Sequence, residues 1–257
     1  MDTLLPGITA ERMPTSRLTV AVLSVAGRTG PAVLFVHGNV SSSLFWQPTM
    51  LALPEPYRPL AIDLRGFGET DPEPVDATRG LRDYADDLAA AIDAFVLESV
   101  HVPEHLDIFV ESMLSTRTGD DYYPGDSRPA DGWPGFAPGD HGVLNTMAPT
   151  HFRIADLSGV RPKPPVLWLR GADDVIVSDT SLYDLAYLGS LGAVPGWPGA
   201  QDWPPQPMVA QTRAVLGGYA AAGGRYREAV IEHAGHGPHL DQPERFLAEL
   251  TGHLATA

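Results

Sequence analysis

The sequence predicts an α/β fold on a mostly parallel, doubly wound sheet, interrupted by a long insertion. Two stretches carry that expectation. Residues 31–71 read as strand, turn, helix, strand, the β-α-β unit from which parallel sheets are built. Residues 164–257 return to the same alternation of strand and helix. At 257 residues the chain has room for one large α/β domain with insertions.

The first segment with strand character is Arg17 to Val25, RLTVAVLSV, which alternates only in part and is expected to form an antiparallel edge strand. Ala32 to Val36 is a short apolar run between Pro31 and Gly38, the pattern of a strand covered on both faces. Ser41, Ser42 and Ser43 precede Leu44-Phe45-Trp46 and are expected to cap a helix there. A second buried strand is expected at about Arg58 to Ile62. In Thr78 to Phe95, the residues Leu81, Tyr84, Leu88, Ile92 and Phe95 recur at three- and four-residue steps. That spacing predicts an amphipathic helix, with Asp83, Asp86 and Asp87 facing water. Leu97 to Val102 then reads as the start of a strand, and Glu104 to Leu114 as a short amphipathic helix.

From Ser115 to Pro149 the chain is rich in Gly, Pro, Asp and aromatics, and an ordered loop of that length is uncommon and often functional. Tyr122, Tyr123, Trp133 and Phe136 suit either a pocket wall or anchors that tie the loop to its own domain. Regular text resumes with a strand at Pro165 to Arg170, a helix at Met208 to Ala222 and a last strand at Arg225 to Ile231. Val209, Thr212, Val215, Leu216 and Tyr219 form the apolar side of that helix. A closing helix at about Pro243 to Leu254 packs Phe246, Leu247 and Leu250.

Composition narrows the function. A formal charge of -15 argues against non-specific nucleic-acid binding and against anionic membrane surfaces, both of which select basic faces. The absence of cysteine excludes disulfides, thiolate catalysis and Cys-ligated zinc. His233, His236 and His239 are spaced to converge if helical, but Gly235, Gly237 and Pro238 favour a loop over a metal site. The opening MDTLLPGITAERMP has neither a basic start nor a long apolar run, so no signal peptide is read. A soluble cytoplasmic protein is the expectation, of no defined oligomeric state.

Two loop motifs identify a family. His37-Gly38-Asn39-Val40 follows the first buried strand, and Asp63-Leu64-Arg65-Gly66-Phe67-Gly68 follows the second. Together, in that order, they resemble the α/β-hydrolase family in its lipase, esterase, peptidase and dehalogenase-like branch. Gly171-Ala172-Asp173-Asp174 resembles the family's acid loop, and that spacing selects Asp174 over Asp173. His233-Ala234-Gly235-His236-Gly237-Pro238-His239, with Pro243-Glu244 beyond it, resembles the histidine loop and selects His236. The resemblance further implies backbone oxyanion donors at Asn39 and Val40, a cap formed by the long insertion, a small-molecule substrate and no cofactor.

One part of the family pattern is missing. Relatives carry a nucleophile elbow, G-x-S-x-G, after the helix at 78–95, and no such motif occurs anywhere in the chain. Leu106 falls where the serine belongs. Asp107, considered against the aspartate nucleophile of dehalogenase-like relatives, is one residue out of register. Ser99 and Ser112 flank the gap without an elbow. The expected fold is therefore an α/β-hydrolase fold incomplete in the centre, lacking a block between about Val96 and Leu106. Its expected parts are 1–97 as the N-terminal half of the core, 98–163 as truncated elbow region and cap, and 164–257 as the C-terminal half. The implied activity is hydrolysis of an ester, amide or related bond in a small, partly apolar substrate by a Ser-Asp-His mechanism. With Asp174 and His236 kept and no recognisable nucleophile, weak or absent turnover is expected. The alternative is a non-catalytic small-ligand-binding protein on the same fold.

Overall fold

The computed structural model describes residues 4–39, 41–96, 125–152 and 157–256. The chain divides into two compact units, one of Met1–Arg128 with Pro138–Arg153 and one of Pro129–Ala137 with Ile154–Ala257. The segments at 97–102 and 104–114 that were expected to form a strand and a helix lie outside the described residues, as do Tyr122 and Tyr123.

The first unit is built on a four-stranded sheet of β1 (Ile8–Pro14), β2 (Thr19–Val25), β3 (Ala32–Val36) and β4 (Arg58–Ile62), in the order β1-β2-β4-β3. β3 and β4 run parallel, with Val36 opposite Ile62, whereas β2 is antiparallel to both β1 and β4. The connection from β3 to β4 carries a short 3-10 turn (Ser43–Trp46) and helix α1 (Gln47–Ala52). This is the β-α-β unit expected from the sequence.

β2 is not an edge strand. The outer position belongs to β1, whose Glu11 and Arg12 obscure its strand pattern in the sequence. Val20, Ala21, Val22 and Leu23 are all buried, and that two-faced cover is why β2 alternates only in part. Its side chains join Leu18, Leu60, Ile62 and Ala91 in the core.

Ala77–Arg79 form a 3-10 turn, α2 spans Arg82–Ala91, and Ile92–Val96 continue it as a wider π-helical turn. The buried face of α2 is wider than expected: Leu81, Tyr84 and Leu88 pack inward as the spacing implies, but two aspartates join them. Asp83, Tyr84, Asp87, Ala90 and Ala91 point inward, while Ile92 is exposed. Asp83 and Asp87 are held inside by arginines, so ion pairing overrides the polarity rule that placed them in water. A two-stranded ribbon, β5 (Ser127–Pro129) with β6 (Phe136–Pro138), lies within the long insertion.

In the second unit β7 (Val166–Gly171) and β8 (Tyr226–Ile231) pair in parallel, Gly171 opposite Ile231. Between them run α3 (Leu185–Ser190) and α4 (Met208–Ala221), and after them α5 (Pro238–Asp241) and α6 (Pro243–Leu254). Val209, Leu216 and Tyr219 of α4, Ala229 and Ile231 of β8 and Phe246 of α6 are buried. Trp133, expected either to line a pocket or to anchor its loop, does the latter. Its indole N–H donates to the Pro195 carbonyl at 2.9 Å, and its ring meets Trp203 edge-on at 5.5 Å. Phe136 is exposed.

Candidate active site

Because β3 and β4 are parallel and in register, the residues that follow them emerge side by side at one edge of the sheet. His37 and Asp63 occupy those positions, and each binds the other strand's loop. The Leu64 N–H donates to His37 Nε2 at 3.0 Å. That nitrogen must accept, so Nδ1 carries the proton and donates to the Gly38 carbonyl at 2.7 Å. Burial lowers the His37 pKa, which agrees with a neutral ring wedged edge-on against Phe67 at 5.1 Å.

Asp63 is fully buried. Its carboxylate accepts from the Ser43 N–H at 2.7 Å and from the Glu69 N–H at 3.1 Å. It therefore does the capping expected of the serines. The Ser42 side chain makes no cap bond, and the hydroxyls of Ser42 and Ser43 are buried without a partner among the described residues. The motif's last glycine follows from this. Gly68 has φ +50°, and a Cβ there would lie 1.9 Å from Asp63 Oδ2.

Arg65, between these two, turns the other way. It gives two hydrogen bonds to Asp87 and one to the Pro74 carbonyl, which ties the loop to α2. Arg17, Arg65 and Arg79 line a polar cleft of about 480 Å³ together with Asp76, Asp83 and Asp140. The two motif loops are thus a cross-braced edge whose braces are His37, Asp63 and Arg65.

In the second unit the loops after β7 and β8 also emerge side by side. Gly171 permits this, since a Cβ there would lie 2.1 Å from the Ala234 carbonyl oxygen. The Ala172 N–H donates to Ile231 O and the Asp173 N–H to Ala234 O, both at 2.9 Å. Asp173 is exposed, and the next residue turns inward. Asp174 Oδ1 accepts from the N–H groups of Ile176 and Val177 at 2.7 and 3.0 Å, and Oδ2 lies 3.0 Å from His236 Nδ1. The carboxylate side chain is 8% exposed and the imidazole 55% exposed. The histidine loop is pinned by Asp241, whose Oδ2 accepts the Gly235 N–H at 2.8 Å, and by Gln242, which donates to the His233 carbonyl at 3.2 Å.

Burial acts most strongly on Asp174 and raises its pKa. The bonds from His236, Ile176 and Val177 outweigh it, so the net shift is downward. An ionised carboxylate only accepts, so in the neutral imidazole Nδ1 holds the proton and Nε2 the lone pair. That is the arrangement a general base needs.

The structure thus brings Asp174 and His236 together and places Asn39, half-buried, in the turn after β3. Val40, Ser99, Leu106, Asp107 and Ser112 lie outside the described residues. His233 and His236 are in the loop before α5, and His239 is on α5. Among the described residues no three His, Asp or Glu side chains are grouped to hold a metal ion, and no helix is long and apolar enough to cross a membrane. Sequence reasoning missed the roles of His37 and Asp63. Their signal is two parallel strands that end in register, one on histidine and the other on aspartate.

Comparison with known proteins agrees with this architecture. A segment of 76 residues is 42% identical to a probable lysophospholipase, BODYGUARD 4 of Arabidopsis thaliana, and covers 28% of this chain and 18% of that one. A segment of 92 residues is 34% identical to epoxide hydrolase 2 of Siraitia grosvenorii, covering 35% and 28%. The chain therefore matches less than a third of the length of either relative. The crystal structure of an epoxide hydrolase from Vigna radiata superposes over 98% of this chain and 99% of its own, with a TM-score of 0.59 at 18% identity. That likeness establishes the fold. The profile of the alpha/beta hydrolase family matches residues 33–249, which takes in both braced loops, the acid loop and the histidine loop, and on that match the chain belongs to the α/β-hydrolase family.

Proposed function

We propose that this protein keeps the acid and the base of a hydrolytic site, Asp174 and His236, without the family's elbow nucleophile. By sequence, Asn39 and Val40 match the family's oxyanion positions, whose backbone N–H groups would hold a developing negative charge. The substrate class is a small, partly apolar molecule with an ester, amide or related bond, and the chemistry needs no cofactor. The observation that carries this reading is the 3.0 Å contact between Asp174 Oδ2 and the Nδ1 of a half-exposed His236. In a complete triad the histidine takes the proton of a serine hydroxyl. Where a triad member is removed, the oxyanion hole and binding alone retain about 10³–10⁴-fold over water. Turnover of unactivated esters and amides is accordingly weak or absent.

The test is labelling of the folded protein with a fluorophosphonate probe, followed by peptide mapping. No labelled serine in a sample that melts cooperatively is the expected result. A single labelled serine overturns the proposal, because it identifies an activated nucleophile.

A further inference from the structure

We propose that His236 itself is a nucleophile toward activated esters, aryl acetates being the representative class. The inference rests on the reading of Asp174 and His236 given above and goes beyond it, since that reading treats His236 only as a base. Three observations combine. Asp174 accepts the Nδ1 proton and leaves the lone pair on Nε2. The imidazole is 55% exposed, and no hydrogen bond to Nε2 occurs among the described residues, so its lone pair is not engaged there. The carboxylate is itself held by two backbone N–H groups and is 8% exposed, so it stays in place as charge develops on the ring.

The step balances as follows. The Nε2 lone pair attacks the ester carbonyl carbon, the bond to the aryl oxygen breaks, and the phenolate leaves with its electron pair. The product is an Nε2-acyl imidazolium whose positive charge faces Asp174. Water then adds to the acyl carbon, the C–N bond breaks with its electrons returning to Nε2, and acetate departs. Both protons of the water pass to solvent. Esters with poor leaving groups do not react, because the tetrahedral adduct expels the better-leaving imidazole instead. His236 is the catalytic residue in this scheme and Asp174 a positioning residue.

The test uses the full chain and p-nitrophenyl acetate. Protein quenched in cold acid during turnover is digested within minutes by pepsin, and the peptides covering residues 233–239 are fragmented to locate acetyl groups among His233, His236 and His239. The expected result is acetylation at His236 that hydroxylamine removes, which separates an acyl imidazole from a stable amide on an amine. His236→Gln and Asp174→Asn each lower the protein-dependent rate by about tenfold, far less than the ~10⁴-fold that misorienting the histidine costs in a complete triad. His233→Asn, chosen because Asn tolerates the φ of +60° found there, leaves the rate unchanged. Absence of the His236 adduct, with no serine labelled by fluorophosphonate, overturns this inference and leaves the proposed function standing. An acetyl group on a serine that also takes the fluorophosphonate overturns both.

Discussion

Asp87 receives two hydrogen bonds from the Arg65 guanidinium, from Nε at 2.6 Å and from Nη2 at 2.8 Å, with both side chains buried. Arg17 adds a third at 2.7 Å. This pairing joins the D-x-R-G-x-G loop to α2 and explains why an aspartate faces the core. Asp87→Asn leaves the Arg65 charge without its counter-ion, and the predicted loss of stability is about 3–5 kcal/mol. Urea unfolding of the two proteins measures it directly. A change within experimental scatter would show that the pair does not hold the loop.

Gly68→Ala and Gly27→Ala form a matched comparison. Both residues have positive φ, but a Cβ at Gly27 meets nothing within 4 Å, whereas at Gly68 it collides with Asp63. Gly27→Ala should cost the left-handed backbone penalty alone, about 1–2 kcal/mol. Gly68→Ala should cost more, because Asp63 must also release Ser43 or Glu69. Equal losses in thermal melts would refute the assigned role of Asp63.

His37 supplies a pH dependence. Burial lowers its pKa in the folded state, so the unfolded chain binds the proton at higher pH. The stabilisation is fully present above the ordinary histidine value of about 6.5 and is lost as pH falls from there toward the folded value. Protonation also converts Nε2 into a donor facing the Leu64 N–H. Denaturant midpoints of the wild type should therefore drop between about pH 7.5 and 5.5. In His37→Gln the drop should be smaller, from a lower starting stability.

Glu228 sets a more acidic window. Hydrogen bonds from Arg213, and then from Arg170, hold its pKa at about 2 against an ordinary 4.5. Its contribution is present above the ordinary value and is lost as pH falls through the folded one. Asp174 shifts in the same direction, with its bonds from His236, Ile176 and Val177 exceeding the opposing effect of burial. Acid titration of Glu228→Gln by circular dichroism should show a shallower loss of structure below about pH 4.5 than the wild type does.

Much of the fold was legible. The limits of β3 follow from an apolar run bounded by proline and glycine, and α4 and α6 from their apolar positions. The acid and histidine loops were legible for a different reason, since the family resemblance named one aspartate of an adjacent pair and one histidine of three. β1 escaped because its charged residues mask the alternation, and the inward turn of Asp83 and Asp87 on α2 because it depends on arginines elsewhere in the chain.

By itself the sequence determined where chemistry-bearing residues stand along the chain, where its apolar runs lie, and that no G-x-S-x-G exists to supply a serine. Those are local properties, written in residue type and spacing. Only the tertiary structure decided which polar groups meet. It assigned the capping of Ser43 to Asp63, the proton of His37 to Nδ1, the burial of Asp87 to Arg65, and the His236 contact to Asp174 over Asp173. Each partner lies tens of residues away along the chain. A buried polar group takes its position from the partner that satisfies it, and that partner is fixed only when parallel strands bring their following loops together.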